Sequence, residues 1–107
     1  MKFLVDPIKQ IILDRENWFS PPDLNGSSYL AADIIKDNPS NWSSLTMPRA
    51  TGMEKTRAKQ VGRLIRAATH ERDTVFLHET ENEVIILVRN DVLEKARTPN
   101  VIRTSLN

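Results

Sequence analysis

The sequence predicts an α+β domain in which helical segments come first, a β-hairpin follows and a short helix closes the fold. Three observations lead there. Apolar residues recur at spacings of three and four through residues 8–12, 30–35 and 58–68. Two runs rich in β-branched and aromatic residues flank a polar turn at 79–82. Pro7, Pro39, Pro48 and Pro99 stand at the borders of these segments. A chain of 107 residues has room for one domain, assigned to residues 1–97, with a tail over 98–107. With 39% apolar and 27% charged residues it has the composition of a soluble globular protein. It has no run of about 18 apolar residues, and Phe3-Leu4-Val5 is too short for a signal-peptide core, so a membrane span and a secretory leader are excluded and the cytoplasm is the expected compartment. The lack of cysteine excludes disulfides, thiol catalysis and cysteine-ligated zinc.

The first helix opens at Asp6-Pro7, an acidic N-cap followed by proline at the first helical position, where its missing N–H costs nothing. Ile8, Ile11 and Ile12 form its apolar side, with Leu4 in the lead-in, and it is expected to reach about Glu16. Trp18-Phe19-Ser20-Pro21-Pro22-Asp23-Leu24-Asn25-Gly26 interrupts any regular helix and reads as a loop with a short strand at Trp18 and Phe19. Ser27 or Ser28 caps a second helix over 28–38, with Leu30, Ile34 and Ile35 on one side and Pro39 as its stop. Residues 40–47 suit a single helical turn, with Trp42 as a core plug. The third helix, from Met53 to about His70, places Ala58, Val61, Leu64, Ile65 and Ala68 on one face, and Gly62 marks a close approach to a neighbour. A hairpin then runs through 74–78 and 83–89 about a turn at 79–82. Asp91 caps a last helix carrying Val92, Leu93 and Ala96, which Pro99 ends.

Charge is unevenly placed. The formal net charge is +1, but residues 48–72 carry seven basic and two acidic side chains, for +5, while residues 1–47 and 73–107 each sum to −2. At about 100° per residue, Thr56, Lys59, Arg63, Arg66 and His70 line one side of the third helix, opposite Val61, Leu64 and Ile65. An α-helix with a buried apolar side and an opposite row of long cations has the width and chemistry to enter a DNA major groove, with Lys55 reaching a phosphate beside it. The residues assigned to double-stranded DNA are therefore Lys55, Thr56, Lys59, Arg63 and Arg66.

Helix, helix, basic helix and hairpin in this order form the layout of a winged helix. The Ile-rich first helix, the Trp18-Phe19-Ser20-Pro21-Pro22-Asp23-Leu24 link, Gln60-Val61-Gly62-Arg63-Leu64-Ile65-Arg66 and the hairpin resemble the small C-terminal winged-helix domains of phage and plasmid replication primase-helicases, over residues 6–90. That resemblance implies a three-helix helix-turn-helix core, a recognition helix at the third helix, a wing tip at residues 80–82, and a role in replication or transcription regulation. The sequence departs from it in the long 38–52 link and in the acidic hairpin of Glu79, Glu81 and Glu83, where a DNA wing is normally basic. An alternative reading keeps the fold but gives it a protein partner, for instance as a phage-encoded modulator of a host complex, bound through Trp18, Phe19 and the hairpin at 79–83.

Catalytic signals are thin. His70 and His78 are the only histidines, one expected at a helix C-terminus and one on a strand, with no partner pattern around either. Gly26, Gly52 and Gly62 are too scattered for a phosphate loop, and the histidine spacing argues for no metal. A non-enzymatic protein without cofactor or metal is expected.

Overall fold

The computed structural model describes residues 6–22, 32–48 and 52–98. The lead-in Leu4, residues 23–26 of the expected loop, the Ser27 or Ser28 cap, Leu30 and the tail beyond Thr98 lie outside the described residues. The described elements are helix α1 (Pro7–Leu13), helix α2 (Ala32–Ile35), strand β1 (Trp42–Pro48), helix α3 (Gly52–Arg66), strands β2 (Val75–Glu79) and β3 (Glu83–Arg89), and helix α4 (Asn90–Arg97). Short 3₁₀ turns at Arg15–Asn17 and Pro39–Asn41 follow α1 and precede β1. The strands form an antiparallel sheet in the order β1-β3-β2. This is a mixed α+β architecture.

The start of α1 is built as its sequence dictates: Asp6 accepts a 2.8 Å hydrogen bond from the Ile8 N–H, with Pro7 at the first helical position. It ends at Leu13 because Asp14 turns extended, and the expected stretch to Glu16 continues only as a 3₁₀ turn. The larger departure is at residues 42–48. Here β1 replaces the expected helical turn, pairing with β3 from Trp42↔Arg89 to Pro48↔Glu83. Ser43, Leu45 and Met47 alternate with Trp42, Ser44 and Thr46, so period two wins over the helical spacing of Trp42 and Leu45 once β3 supplies a partner. The two buried serines are tolerated in part because the Ser43 hydroxyl donates to Asn90 Oδ1.

That alternation sorts the side chains onto two faces. Leu45, Met47, Val75, Val84, Ile86 and Val88 meet Ile12 of α1, Ala58, Val61 and Ile65 of α3, and Val92 and Leu93 of α4 in the larger core. On the opposite face Trp42, Ile85 and Leu87 pack with Ile35 of α2 and with Phe76, the Trp42 and Phe76 rings lying 5.9 Å apart. Trp42 is thus the core plug its size suggested, although it sits on a strand. Because α2 and α3 reach the sheet from opposite faces with β1 between them, the side-by-side α2–α3 pair expected of a helix-turn-helix is replaced by α1, α3 and α4 sharing one face.

The hairpin matches its sequence signature. Thr80 closes it, its N–H and hydroxyl both donating to the Glu83 carbonyl, while the hydroxyl oxygen accepts from the Asn82 and Glu83 N–H groups. In α4, Val92 and Leu93 are buried as expected, but Asp91 lies inside the first turn and not at the cap, which Arg89 occupies without a side-chain bond. Its carboxylate is drawn instead to the Arg89 guanidinium.

Candidate nucleic-acid interface

Burial of Ala58, Val61 and Ile65 against the sheet fixes the rotation of α3, and with it which side chains reach solvent. Thr56, Lys59, Arg63 and Arg66 are exposed, as the helical spacing predicts, and Lys55 and Arg57 are half-buried at the flank. The helix ends at Arg66, four residues earlier than expected, since residues 67–68 form a turn; His70 therefore lies beyond the helix and not in its last turn.

The four cations among the five residues assigned to DNA fall into two kinds. The Lys55 ammonium lies 3.3 Å from the Glu79 carboxylate, and Arg66 donates from Nη2 to the Val75 carbonyl at 2.9 Å. Both tie α3 to β2, whose Glu79 end lies near the start of the helix and whose Val75 end lies near its finish. Lys59 and Arg63, four residues and about 6 Å of helix rise apart, make no ion pair or hydrogen bond among the described residues. Arg57 is 3.3 Å from Glu54 on the same helix.

Other cations are engaged between elements. Arg15 and Arg97 share the Glu94 carboxylate, joining the 3₁₀ turn after α1 to α4, and Arg97 also donates to the Ile12 carbonyl of α1 at 2.8 Å. The Arg15 hydrogen bond, followed by that of Arg97, holds the Glu94 carboxyl below the usual carboxylate range against an opposing desolvation. Arg89 is paired with Asp91 and Glu71, and its hydrogen bond lowers the Asp91 carboxyl in the same way.

Sequence reasoning missed two features here. Leu64, expected on the buried side with Val61 and Ile65, is 42% exposed, because it lies at the margin of that stripe where α1 covers it only in part. With Ile8 and Ala67 it floors a shallow groove between α1 and α3, rimmed by Asp6, Gln60 and Arg63. Trp18, expected at a partner surface, is instead buried in the larger core, its Nε1 donating to the Ile11 carbonyl at 3.1 Å. Phe19 is 64% exposed and bridges Ser44 on the outer edge of β1 through a pair of main-chain hydrogen bonds. The packing expected around Gly62 is present, with Leu77 of β2 lying over it.

Comparison with protein-family models, with curated proteins and with solved structures gave no match. Among the described residues no helix is long and apolar enough to cross a membrane.

Proposed function

We propose that the chain is a DNA-binding module of the winged-helix kind, serving replication or transcription, in which the solvent face of α3 engages duplex DNA. The reading is compatible with the sheet order β1-β3-β2 and with a hairpin directly after the basic helix. It takes α1 as the helix packed beside α3, since α2 lies on the other face of the sheet. The observation that carries it is the pair Lys59 and Arg63: two exposed cations, one turn apart, with no internal carboxylate to neutralise them among the described residues. Thr56 lies on the same side, one turn before Lys59.

Glu79 holds Lys55, so the hairpin acts here as a brace for α3 and not as a second DNA contact. Glu81 stays exposed at the tip and repels phosphate. The test is fluorescence anisotropy against a labelled random duplex at about 50 and about 200 mM salt. Binding that collapses at the higher salt, with a shallower salt slope for Lys59→Ala and Arg63→Ala, is the expected result. Silence at micromolar protein sinks it.

One observation favours the alternative protein partner: the apolar floor of Ile8, Leu64 and Ala67 beside Arg63. The two readings separate on the hairpin. Reversal of Glu81 and Glu83 to lysine leaves DNA binding equal or stronger under the first and damages complex formation under the second.

A further inference from the structure

Past the end of α3 the chain makes a built turn. Thr69 Oγ1 accepts from the Glu71 N–H at 3.0 Å, Thr74 is buried with its hydroxyl directed at the Glu71 carbonyl, and Asp73 adopts a left-handed φ of 59°. Aspartate is among the few residues that accept that conformation, so the turn needs no glycine. The segment encloses an open cavity of about 450 Å³, lined by Arg66, His70 and Arg72 together with Glu71, Asp73 and Thr74. Of its two carboxylates, Glu71 is bound by the Arg89 guanidinium, which leaves Asp73 as the acid opposing two arginines. Arg72 and His70 are exposed and make no hydrogen bond or ion pair among the described residues. The main-chain N–H groups of Arg72, Asp73 and Thr74 likewise have no acceptor there. Arg66 uses one donor on Val75, with four of a guanidinium's five still available.

Successive free amides around a left-handed residue, beside two guanidiniums, make an anion-binding concavity. We infer that this cavity is a phosphate-binding subsite, formed by Arg66, Arg72 and the amides of residues 72–74, which takes a backbone phosphate of the duplex lying along α3. The inference rests on the DNA reading for the source of the phosphate, and on the turn alone for its chemistry. Cations at this position also offset the partial negative charge at the carboxyl end of α3; a role limited to that changes stability and nothing else.

Two measurements decide it. The first follows amide NMR shifts during titration with inorganic phosphate, against sodium chloride at equal ionic strength. Shifts of Arg72, Asp73 and Thr74 specific to phosphate are expected, lost in Arg72→Ala and strengthened in Asp73→Asn, which removes the opposing charge while keeping a residue that tolerates the turn. The second is the salt slope of duplex binding, expected to fall by about one unit in Arg72→Ala. Duplex binding that weakens in Lys59→Ala but keeps its slope in Arg72→Ala overturns the subsite and spares the DNA reading. Phosphate-specific shifts without any duplex binding overturn the DNA reading and leave the subsite standing, for a free phosphate ligand. Phosphate and chloride shifts that coincide overturn the subsite, and a change confined to melting temperature in Arg72→Ala does the same.

Discussion

The cations of the α1–α4 junction and those of the middle of α3 are the same residue types put to opposite uses. At the junction Arg15 and Arg97 converge on Glu94, and the Arg97 side chain, only 9% exposed, also satisfies the Ile12 carbonyl. On α3, Lys59 and Arg63 face solvent with no such partner among the described residues. The difference teaches that positive charge on this chain acts as structure where a carboxylate lies across an interhelical seam. Where the seam is absent, Lys59 and Arg63 stay on the surface without an internal partner among the described residues. Net charge by segment does not make that distinction; partner geometry does.

The sharpest way to break the comparison is to remove the two cations of mid-α3. Lys59→Ala with Arg63→Ala is expected to lower the salt slope of duplex binding by about two units. Unfolding free energy should stay within roughly 0.5 kcal/mol of the parent, as for surface substitutions generally. A large loss of stability in urea titration would mean the two residues are structural after all. Arg97→Ala should do the reverse, costing about 1–3 kcal/mol, chiefly through the Ile12 carbonyl left without its donor, while Glu94 keeps Arg15. Duplex affinity should not change.

Acid sharpens the same contrast. The Glu94 and Asp91 carboxyls are lowered in the folded chain, so their contribution is complete above the unfolded carboxylate value of about 4. It is lost as the pH falls through the lowered folded values. Stability should therefore decline on acidification below that range, and Glu94→Gln should flatten the decline, as read from melting temperature across pH. An unchanged profile would show that the Arg15–Glu94–Arg97 group contributes nothing.

Gly62→Ala tests the helix that presents the free cations. An added Cβ would sit 3.6 Å from Leu77 Cδ2, an ordinary contact, so the gain in helix propensity of about 0.5–1 kcal/mol should appear as added stability without loss of binding. Destabilisation would mean that Leu77 cannot accept the methyl group. The smallest effect is expected from Glu79→Gln, which releases Lys55 from a half-exposed pair worth at most about 1 kcal/mol. It should strengthen duplex binding slightly, making Lys55 a third free cation; a fall would show that the brace matters more than the charge.

Much of the fold was legible in local patterns. Asp6-Pro7 opened α1, the spacing of Ala58, Val61 and Ile65 rotated α3, and the β-branched runs about residues 79–82 formed the hairpin. Those signals are local because caps, helical periods and tight turns are set by residues within a few positions of one another. Of the candidate site, the exposed row Thr56, Lys59, Arg63 and Arg66 was legible for the same reason.

What only the tertiary structure decided involved residues distant along the chain. Whether residues 42–48 became a turn or a strand depended on β3, some forty positions later, offering a ladder to pair with. The same pairing separated α2 from α3 and sent Trp42 to the second face of the sheet. Trp18 left the surface because it joins the larger core with residues of α1, α3, α4 and the sheet, and Leu64 reached solvent at the margin of the α3 stripe. Among the five basic-row residues, the sequence determined the side of the helix on which they lie. Which of the cations are engaged was decided by β2, whose Glu79 side chain and Val75 carbonyl take Lys55 and Arg66, while Lys59 and Arg63 keep no partner among the described residues, since an ion pair or a carbonyl contact across elements exists only once the elements have packed.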